Sequence, residues 1–230
     1  MGIPLRGLKE LREAIAEVLN ERYGTDLGPE QVLIAPGGKF AIFAAILSFI
    51  SQGDGALVPT PTWPIYGNTV RLAGGRENTL KTRFEDRWNI DLEKLSQMLQ
   101  VNPKLLILCT PNNPTGKVFG EKTLREIIDG VEQAGSYVLA DEVYESYATS
   151  FKSLLQVATS NFIYINTFSK RYGMTGWRIG FAVSDEETIG RMQSVLQLSI
   201  TCVPEFIQKA ALAALRMTQD YYEDLSLIHI

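Results

Sequence analysis

The chain has 230 residues, of which 45% are hydrophobic and 21% charged, and its formal net charge is −4. These values are ordinary for a soluble globular protein and give no general basic surface, so nucleic acid is not expected as a partner. No apolar run reaches the length of a membrane span, so no membrane partner is expected either. The single histidine, His229, excludes catalytic triads and multi-histidine metal sites, so we expect no metal. Cys109 and Cys202 are interpreted as free thiols of a reducing, cytoplasmic compartment.

Hydrophobic periodicity predicts alternating helices and strands along the chain. In chain order, the predicted elements are helix 6–22, strand 32–34, helix 38–50, strand 56–58, helix 64–73, an extended stretch 79–81, helix 91–100, strand 105–108, helix 121–134, strands 137–140, 162–165 and 179–183, and helix 204–222. This alternation is typical of an α/β fold with a mostly parallel sheet and helices on both faces. Ligands of such folds bind at the carboxyl ends of the strands.

A lysine and an arginine follow the strand at 162–165. Lys170 lies in Asn-Thr-Phe-Ser-Lys, and Arg178 follows eight residues later in Gly-Trp-Arg-Ile-Gly. A lysine amine can condense with an aldehyde, while neighbouring hydroxyls and a guanidinium can hold a phosphate. Those are the two groups through which proteins hold pyridoxal phosphate. The alternative is a solvated pair of cations beside a turn.

Two further strand ends carry candidate ligands. After the strand at 32–34, Gly37-Gly38-Lys39 opens a helix whose first amides can bind an anion, although a simple turn is the alternative. After the strand at 137–140, Asp141 needs a partner if it is buried, and a pyridinium nitrogen would supply one. Tyr144, three residues on, could donate to a phenolate oxygen. A helix cap is the alternative for the Asp-Glu pair.

Two proline-rich loops present an amide and an indole. Asn113 lies in Pro-Asn-Asn-Pro-Thr-Gly, where flanking prolines could orient its amide for a ring oxygen, with an ordinary tight-turn loop as the alternative. Trp63 lies between Pro61 and Pro64 and could stack on an aromatic ring, with a core tryptophan as the alternative.

Taken in order, these motifs resemble a known family. The sequence contains Gly-Gly-Lys, Pro-Thr-Trp-Pro-Ile-Tyr, Asn-Asn-Pro-Thr-Gly, Asp-Glu-Val-Tyr, Ser-Lys and Gly-Trp-Arg-Ile-Gly. Over nearly its whole length the chain resembles the class I/II aminotransferases of the aspartate and aromatic type, which are fold type I pyridoxal phosphate enzymes. The resemblance implies transfer of an amino group between an amino acid and a 2-oxo acid, and a homodimer in the intact protein.

The resemblance also implies a role for each candidate residue. It makes Lys170 the lysine that bonds to the cofactor, Asp141 the partner of the ring nitrogen, and Trp63 the stacking residue. The remaining assignments are Asn113 and Tyr144 to the phenolate oxygen and Gly38, Lys39, Thr167 and Arg178 to the phosphate. Catalysis would rest on Lys170, Asp141 and Tyr144, and substrate contacts on Trp63, Asn113 and Lys39. The Lys39 side chain could instead point to solvent and contribute only its backbone amide.

The chain departs from the family pattern at both ends, so a truncated protein is expected. Gly2 stands where the family has a tyrosine that reaches the partner subunit's phosphate, and no residue matches the small-domain arginine that clamps the substrate carboxylate. We therefore expect an incomplete cofactor-binding domain over 1–224 and an unrelated tail over 225–230. Two alternatives stay open, namely a carbon–sulfur β-lyase on the same scaffold and a cofactor-binding remnant without turnover.

Overall fold

The computed structural model describes residues 4–217, and within them seven strands form one sheet. The strands are β1 (Val32–Ala35), β2 (Gly55–Thr60), β3 (Arg76–Lys81), β4 (Leu105–Cys109), β5 (Tyr137–Asp141), β6 (Phe162–Thr167) and β7 (Gly180–Val183). Their order across the sheet is β1-β7-β6-β5-β4-β2-β3. Four of the six pairs of consecutive strands are neighbours in the sheet, whereas β1 and β2 lie apart and β2 separates β3 from β4.

The direction of the strands brings several of their ends to one edge. β3, β2, β4, β5 and β6 run parallel to one another, whereas β7 lies antiparallel between β6 and β1. The predicted mostly parallel α/β sheet is confirmed. Cys109 pairs with Asp141, while Gly180, at the start of β7, pairs with both Thr167 and Ala35. The ends of β1, β4, β5 and β6 thus meet at a single edge, which is where ligands of such sheets bind.

Helices cover both faces of the sheet. They are α1 (Lys9–Tyr23), α2 (Gly38–Phe49), α3 (Ile65–Leu72), α4 (Leu92–Leu99), α5 (Glu121–Gln133), α6 (Phe168–Arg171), α7 (Glu186–Ser199) and α8 (Glu205–Leu215). Buried side chains of α1, α4, α5 and α8 form one apolar layer, and those of α2, α3 and α7 form the other. Among residues 4–217, no helix combines the length and the apolar character needed to cross a bilayer.

The alternation of strand side chains divides the core between these two layers. Along β4, Leu106 and Leu108 belong to the α1 layer, whereas Leu105, Ile107 and Cys109 belong to the α2 layer. This follows from the two-residue repeat of a strand, and a strand buried on both faces is apolar throughout. The same repeat decides toward which face of the sheet the residues directly after each strand point at the ligand edge.

The structure corrects the prediction at the carboxyl-terminal end. A single helix over 204–222 is wrong in its extent, since α8 is Glu205–Leu215, while residues 218–222 lie outside the described part of the chain. The sequence prediction also missed α7. Its signals are present: Asp185 caps the helix by accepting from the amide of Thr188 at 2.8 Å, and buried Ile189 and Met192 follow at helical spacing.

Gly180 provides a test of the close packing at the ligand edge. A Cβ placed on Gly180 would lie 2.6 Å from the Gly38 nitrogen and 2.8 Å from the Asn166 carbonyl oxygen. Backbone atoms cannot yield as a flexible side chain can, so Gly180→Ala is expected to lower the free energy of unfolding by about 1–3 kcal/mol. Urea unfolding measures the change.

The matched control for this substitution is Gly28→Ala, because a Cβ on Gly28 would have no heavy atom within 4 Å. We expect the control to unfold within about 0.5 kcal/mol of the native chain. Equal unfolding free energies for the two variants would contradict the packing argument.

Candidate active site

A cavity of about 250 Å³ opens at the edge where the strand ends meet. Its size is near the lower end of small-ligand pockets, which span about 300–1,000 Å³. All nine predicted site residues line it, namely Gly38, Lys39, Trp63, Asn113, Asp141, Tyr144, Thr167, Lys170 and Arg178. The sequence prediction did not assign a role to five further lining residues, which are Ile42, Tyr66, Val143, Ser169 and Thr175. The structure therefore brings the predicted residues together, while their individual roles remain predictions.

Asp141 forms the acidic end of this cavity. It is the last residue of β5 and is 1% exposed. Its Oδ2 accepts a hydrogen bond from the Tyr66 hydroxyl at 2.6 Å, and its Oδ1 accepts from the Val143 amide at 3.3 Å. Burial raises the pKa of Asp141 to about 6, although these two bonds and the charge of Lys170 act in the opposite direction. A buried carboxylate in this state gains from a cationic partner.

Lys170 lies in the short helix that follows β6. Thr167 caps α6 by accepting from the Ser169 amide at 3.2 Å, so the chain turns into the helix directly after the strand. The turn places Lys170 Nζ 5.1 Å from the centre of the Tyr144 ring, and the amine is close enough to Asp141 to lower the pKa of that carboxyl. A primary amine is thus held near both an aromatic ring and a buried acid.

Another part of the cavity wall is suited to an anion. The amino end of α2 at Gly38 supplies backbone N–H groups and the positive end of a 12-residue helix. Arg178 reaches this end, because a Cβ on Gly37 would lie 2.7 Å from Arg178 Nη2. The Thr167 and Ser169 hydroxyls lie 3.1 Å apart beside it. Amides, hydroxyls and a guanidinium together form the donor set that a phosphate needs.

Arg178 is held in an unusual backbone conformation. Its φ is +52°, in the left-handed region that favours glycine, and its Nη1 donates to the Thr175 carbonyl at 2.9 Å. Non-glycine residues with positive φ carry strain and occur often at ligand-binding positions. The strain is consistent with a backbone shaped to aim the guanidinium at the cavity.

Trp63 and Asn113 lie on loops that are tied to each other. The Asn112 side chain donates to the Pro61 carbonyl at 3.0 Å and accepts from the Thr62 hydroxyl at 2.9 Å. These bonds fix the loop that carries Asn113 against the loop that carries Trp63. The prediction that a rigid loop presents Asn113 therefore has a physical basis in the side chain of its neighbour.

Glu142 is not part of the cavity lining. It is fully buried, and it accepts from the Ser153 hydroxyl at 2.6 Å and from the Leu154 amide at 2.7 Å. Burial holds its pKa well above the usual range. Of the adjacent acidic pair, only Asp141 lines the cavity.

Comparison with known proteins gives a consistent result. Residues 2–227 match the family model described as aminotransferase class I and II. The chain belongs to this family. It is 35% identical to an aspartate aminotransferase of Thermotoga maritima, over 94% of the chain and 58% of that protein. It is 34% identical to aromatic-amino-acid aminotransferase 2 of Thermococcus litoralis, over 93% of the chain and 56% of that protein.

A solved structure supports the same assignment. Aspartate aminotransferase from Thermus thermophilus with maleate superposes with a TM-score of 0.93 at 32% identity, over 99% of this chain and 60% of that one. The chain therefore spans somewhat less than two thirds of the length of these aminotransferases.

Members of the aminotransferase family use pyridoxal phosphate, and the cavity fits that group chemically. Its anionic end matches a phosphate, its buried acid matches a ring nitrogen, and its amine lies close to the acid. Trp63 also lines the cavity and offers a flat apolar surface for the ring. No other group is needed to explain why these side chains share one edge of the sheet.

The raised pKa of Asp141 predicts a pH-dependent change in stability. Between pH 3.8 and about 6 the folded chain holds the Asp141 proton that the unfolded chain has lost, so stability falls as pH rises through this window. Asp141→Asn removes that penalty. At pH 7 the free energy of unfolding of the variant is expected to exceed that of the native chain by about 1–3 kcal/mol. Below pH 4 this advantage should vanish.

Urea unfolding at pH 4 and pH 7 measures both values. The control is Asp185→Asn, since hydrogen bonds from Thr188 and Ser184 outweigh partial burial and lower the pKa of Asp185. The ionised Asp185 stabilises the folded chain above the usual pKa of the carboxyl, and this contribution is lost at lower pH. Asp185→Asn should therefore be less stable than the native chain at pH 7. The stability of Asp141→Asn relative to the native chain should be greater at pH 7 than at pH 4. An equal or smaller difference at pH 7 would contradict the argument.

Proposed function

We propose that the protein of which this chain forms the cofactor-binding part is an aminotransferase that holds pyridoxal phosphate in the cavity. It transfers an amino group between an amino acid and a 2-oxo acid. The observation that carries the proposal is that Lys170 lines a single cavity together with a buried acid and the donors suited to an anion. An amine, an acid and an anion site in one cavity match the three chemical handles of this cofactor.

The anion-binding end would hold the phosphate. Arg178 and Thr167 supply a guanidinium and a hydroxyl, and the amides of Gly38 and Lys39 open α2 toward the same place. The helix dipole adds to the attraction of a doubly charged group. Ser169, whose hydroxyl lies 3.1 Å from that of Thr167, is a further phosphate ligand in this arrangement.

The ring would be oriented by three other contacts. Asp141 would pair with the ring nitrogen and keep it protonated, while Asn113 and Tyr144 would donate to the phenolate oxygen. Trp63 would pack on the ring face. When bound, the cofactor supplies an aldehyde that accepts the amine and a protonated ring that draws electron density from the substrate Cα.

Lys170 would then carry out the proton transfer. Its amine would hold the cofactor, and a substrate amine would displace it. The Lys170 Nζ would then serve as the base that takes the proton from the substrate Cα and as the acid that returns it. The centre of the Tyr144 ring lies 5.1 Å from this Nζ.

The substrate class we propose is dicarboxylic amino acids of the aspartate type. Lys39 Nζ lies 5.7 Å from the centre of the Trp63 ring, so its charge is directed to the side of the cavity that Trp63 lines. A cation in that place would favour a second carboxylate through a charge-assisted hydrogen bond. Trp63 and Asn113 complete the substrate contacts.

Three further properties belong to this proposal. We propose a homodimer for the intact protein, a cytoplasmic location, and a cofactor-binding domain over residues 1–224. The relatives' greater length is compatible with segments that complete the substrate site. Gly2 and the predicted unrelated tail over 225–230 lie outside the described residues.

The covalent role of Lys170 can be tested directly. The chain is mixed with pyridoxal phosphate, reduced with borohydride, digested and mapped by mass spectrometry. We expect the pyridoxyl group on the peptide that contains Lys170, and no specific label in Lys170→Ala. Lys152→Ala is the control and should be labelled as the native chain is, because Lys152 pairs with Glu121 and does not line the cavity. Stoichiometric label on Lys152 or Lys117 would overturn the assignment.

The role of Lys39 predicts a selective loss of affinity. In the loaded chain, Lys39→Ala is expected to weaken aspartate binding about tenfold, as loss of a charge-assisted hydrogen bond implies, and to leave phenylalanine binding nearly unchanged. Titration of the cofactor absorption with each amino acid measures both. Lys122→Ala, an exposed lysine of α5, is the control. Equal losses for aspartate and phenylalanine would refute the specificity role while leaving the cofactor assignment intact.

A further inference from the structure

Tyr66 is a buried tyrosine of the cavity wall to which the proposed function assigns no task. It lies in α3 and is 1% exposed. Its hydroxyl donates to Asp141 Oδ2 at 2.6 Å, and its ring meets the Trp63 ring edge to face, with the centres 6.0 Å apart. One side chain therefore touches both the acid and the stacking residue of the proposed cofactor site.

The bond from Tyr66 is the shorter of the two hydrogen bonds to Asp141. The amide of Val143 lies 3.3 Å from Oδ1, compared with 2.6 Å between the Tyr66 hydroxyl and Oδ2. A donor to the charged form of a carboxyl favours ionisation, and burial opposes it. The Tyr66 hydroxyl thus offsets part of the desolvation that Asp141 experiences.

The other groups that face Asp141 come from three further parts of the fold. Lys170 of α6 favours the ionised carboxylate, whereas burial holds the pKa of Glu142, the next residue in the chain, well above its usual value. The Cys109 thiol of β4 stays protonated, since burial raises its pKa to about 12. Burial also keeps the pKa of Tyr66 well above its usual value, so its hydroxyl remains a donor throughout the physiological range. Among these groups, Tyr66 is the neutral donor that can fix the carboxylate's orientation.

We propose that Tyr66 is a positioning residue that holds the Asp141 carboxylate ionised and oriented toward the ring nitrogen of the cofactor. The inference rests on the proposed function, because it requires Asp141 to serve that nitrogen. It adds a physical link between two parts of the site, since the ring that carries this hydroxyl also supports Trp63 from the side. A tyrosine that only filled the core would leave the ionisation of Asp141 unchanged.

The first test uses the chain without cofactor. Aspartate residues are labelled with ¹³C at the carboxyl carbon, and the Asp141 signal is assigned by its absence in Asp141→Asn. In Tyr66→Phe we expect the titration midpoint of Asp141 to rise by about one pH unit, as loss of a hydrogen bond to a charged group implies. Tyr164→Phe is the matched control, since Tyr164 is equally buried but its hydroxyl bonds with Glu145 and Asn166. An unchanged midpoint in Tyr66→Phe, or the same rise in both variants, would overturn the proposal.

A second variant covers the case in which Tyr66→Phe does not fold. Site-specific incorporation of 3-fluorotyrosine at position 66 keeps the ring and makes the hydroxyl a stronger donor. The Asp141 midpoint should then move downward, opposite to the change expected for phenylalanine. A fluorinated chain that titrates as the native chain does would equally overturn the role.

The second test separates this inference from the proposed function. Equilibrium dialysis gives the affinity for pyridoxal phosphate of the native chain, Tyr66→Phe, Asp141→Asn and the double variant at pH 6 and pH 9. Relative to native at each pH, Tyr66→Phe should bind severalfold more weakly at pH 6 and nearly equally at pH 9, where Asp141 is ionised again. In the Asp141→Asn background the tyrosine change should have no further effect.

The outcomes have distinct meanings. If Asp141→Asn binds the cofactor as tightly as native, the proposed partner of the ring nitrogen is wrong, and with it the proposed function of Asp141. If Asp141→Asn weakens binding but Tyr66→Phe matches native at both pH values, the proposed function stands and the positioning role of Tyr66 fails.

Discussion

The burial of the Asp141 carboxylate is the constraint around which the site is organised. A charged group without access to water is unfavourable unless other groups compensate for the lost hydration. The chain provides Tyr66, the Val143 amide and the nearby amine of Lys170, yet the pKa of Asp141 remains raised to about 6. The compensation is therefore incomplete, and the side of the carboxylate that faces the cavity is where a cationic ligand would complete it. Burial of this kind marks functional positions, where stability is exchanged for reactivity.

The antiparallel strand β7 explains how the anion-binding end comes close to this acid. Because β7 lies between β1 and β6, Gly180 faces both Ala35 and Thr167. The amino end of α2 then converges with the hydroxyl of Thr167 and the guanidinium of Arg178, although α2 begins more than 100 residues before either of them. Such convergence requires backbones to approach more closely than any side chain allows, which is why Gly180 lies against the backbone of Gly38.

The sequence predicted the strands and the strand-end residues well, because both leave local signals. Continuous apolar runs such as β4 indicate a strand covered on both faces, and a polar residue directly after such a run lies at the ligand edge. Tyr66 left no such signal. It lies in a helix at a position that also suits a core aromatic, and its importance comes from a contact with Asp141, 75 residues away. Helix α7 was missed although Asp185 caps it and Ile189 and Met192 follow at helical spacing.

The buried carboxylates of Asp141, Glu142 and Glu145 differ in how completely other groups of the protein satisfy their hydrogen bonds. Glu142 accepts from the Ser153 hydroxyl and the Leu154 amide, and Glu145 pairs with the Arg22 guanidinium at 2.6 Å and accepts from the hydroxyls of Tyr23 and Tyr164.

Both of these glutamates follow β5, yet neither lines the cavity that Asp141 lines. Since side chains alternate along a strand, Asp141 shares its face with Cys109 and Tyr66, and its neighbour Glu142 turns to the other side. Burial alone therefore does not single out Asp141 among these acids. The distinguishing feature is that Asp141 combines incomplete compensation with a cavity that also holds an amine and an anion site.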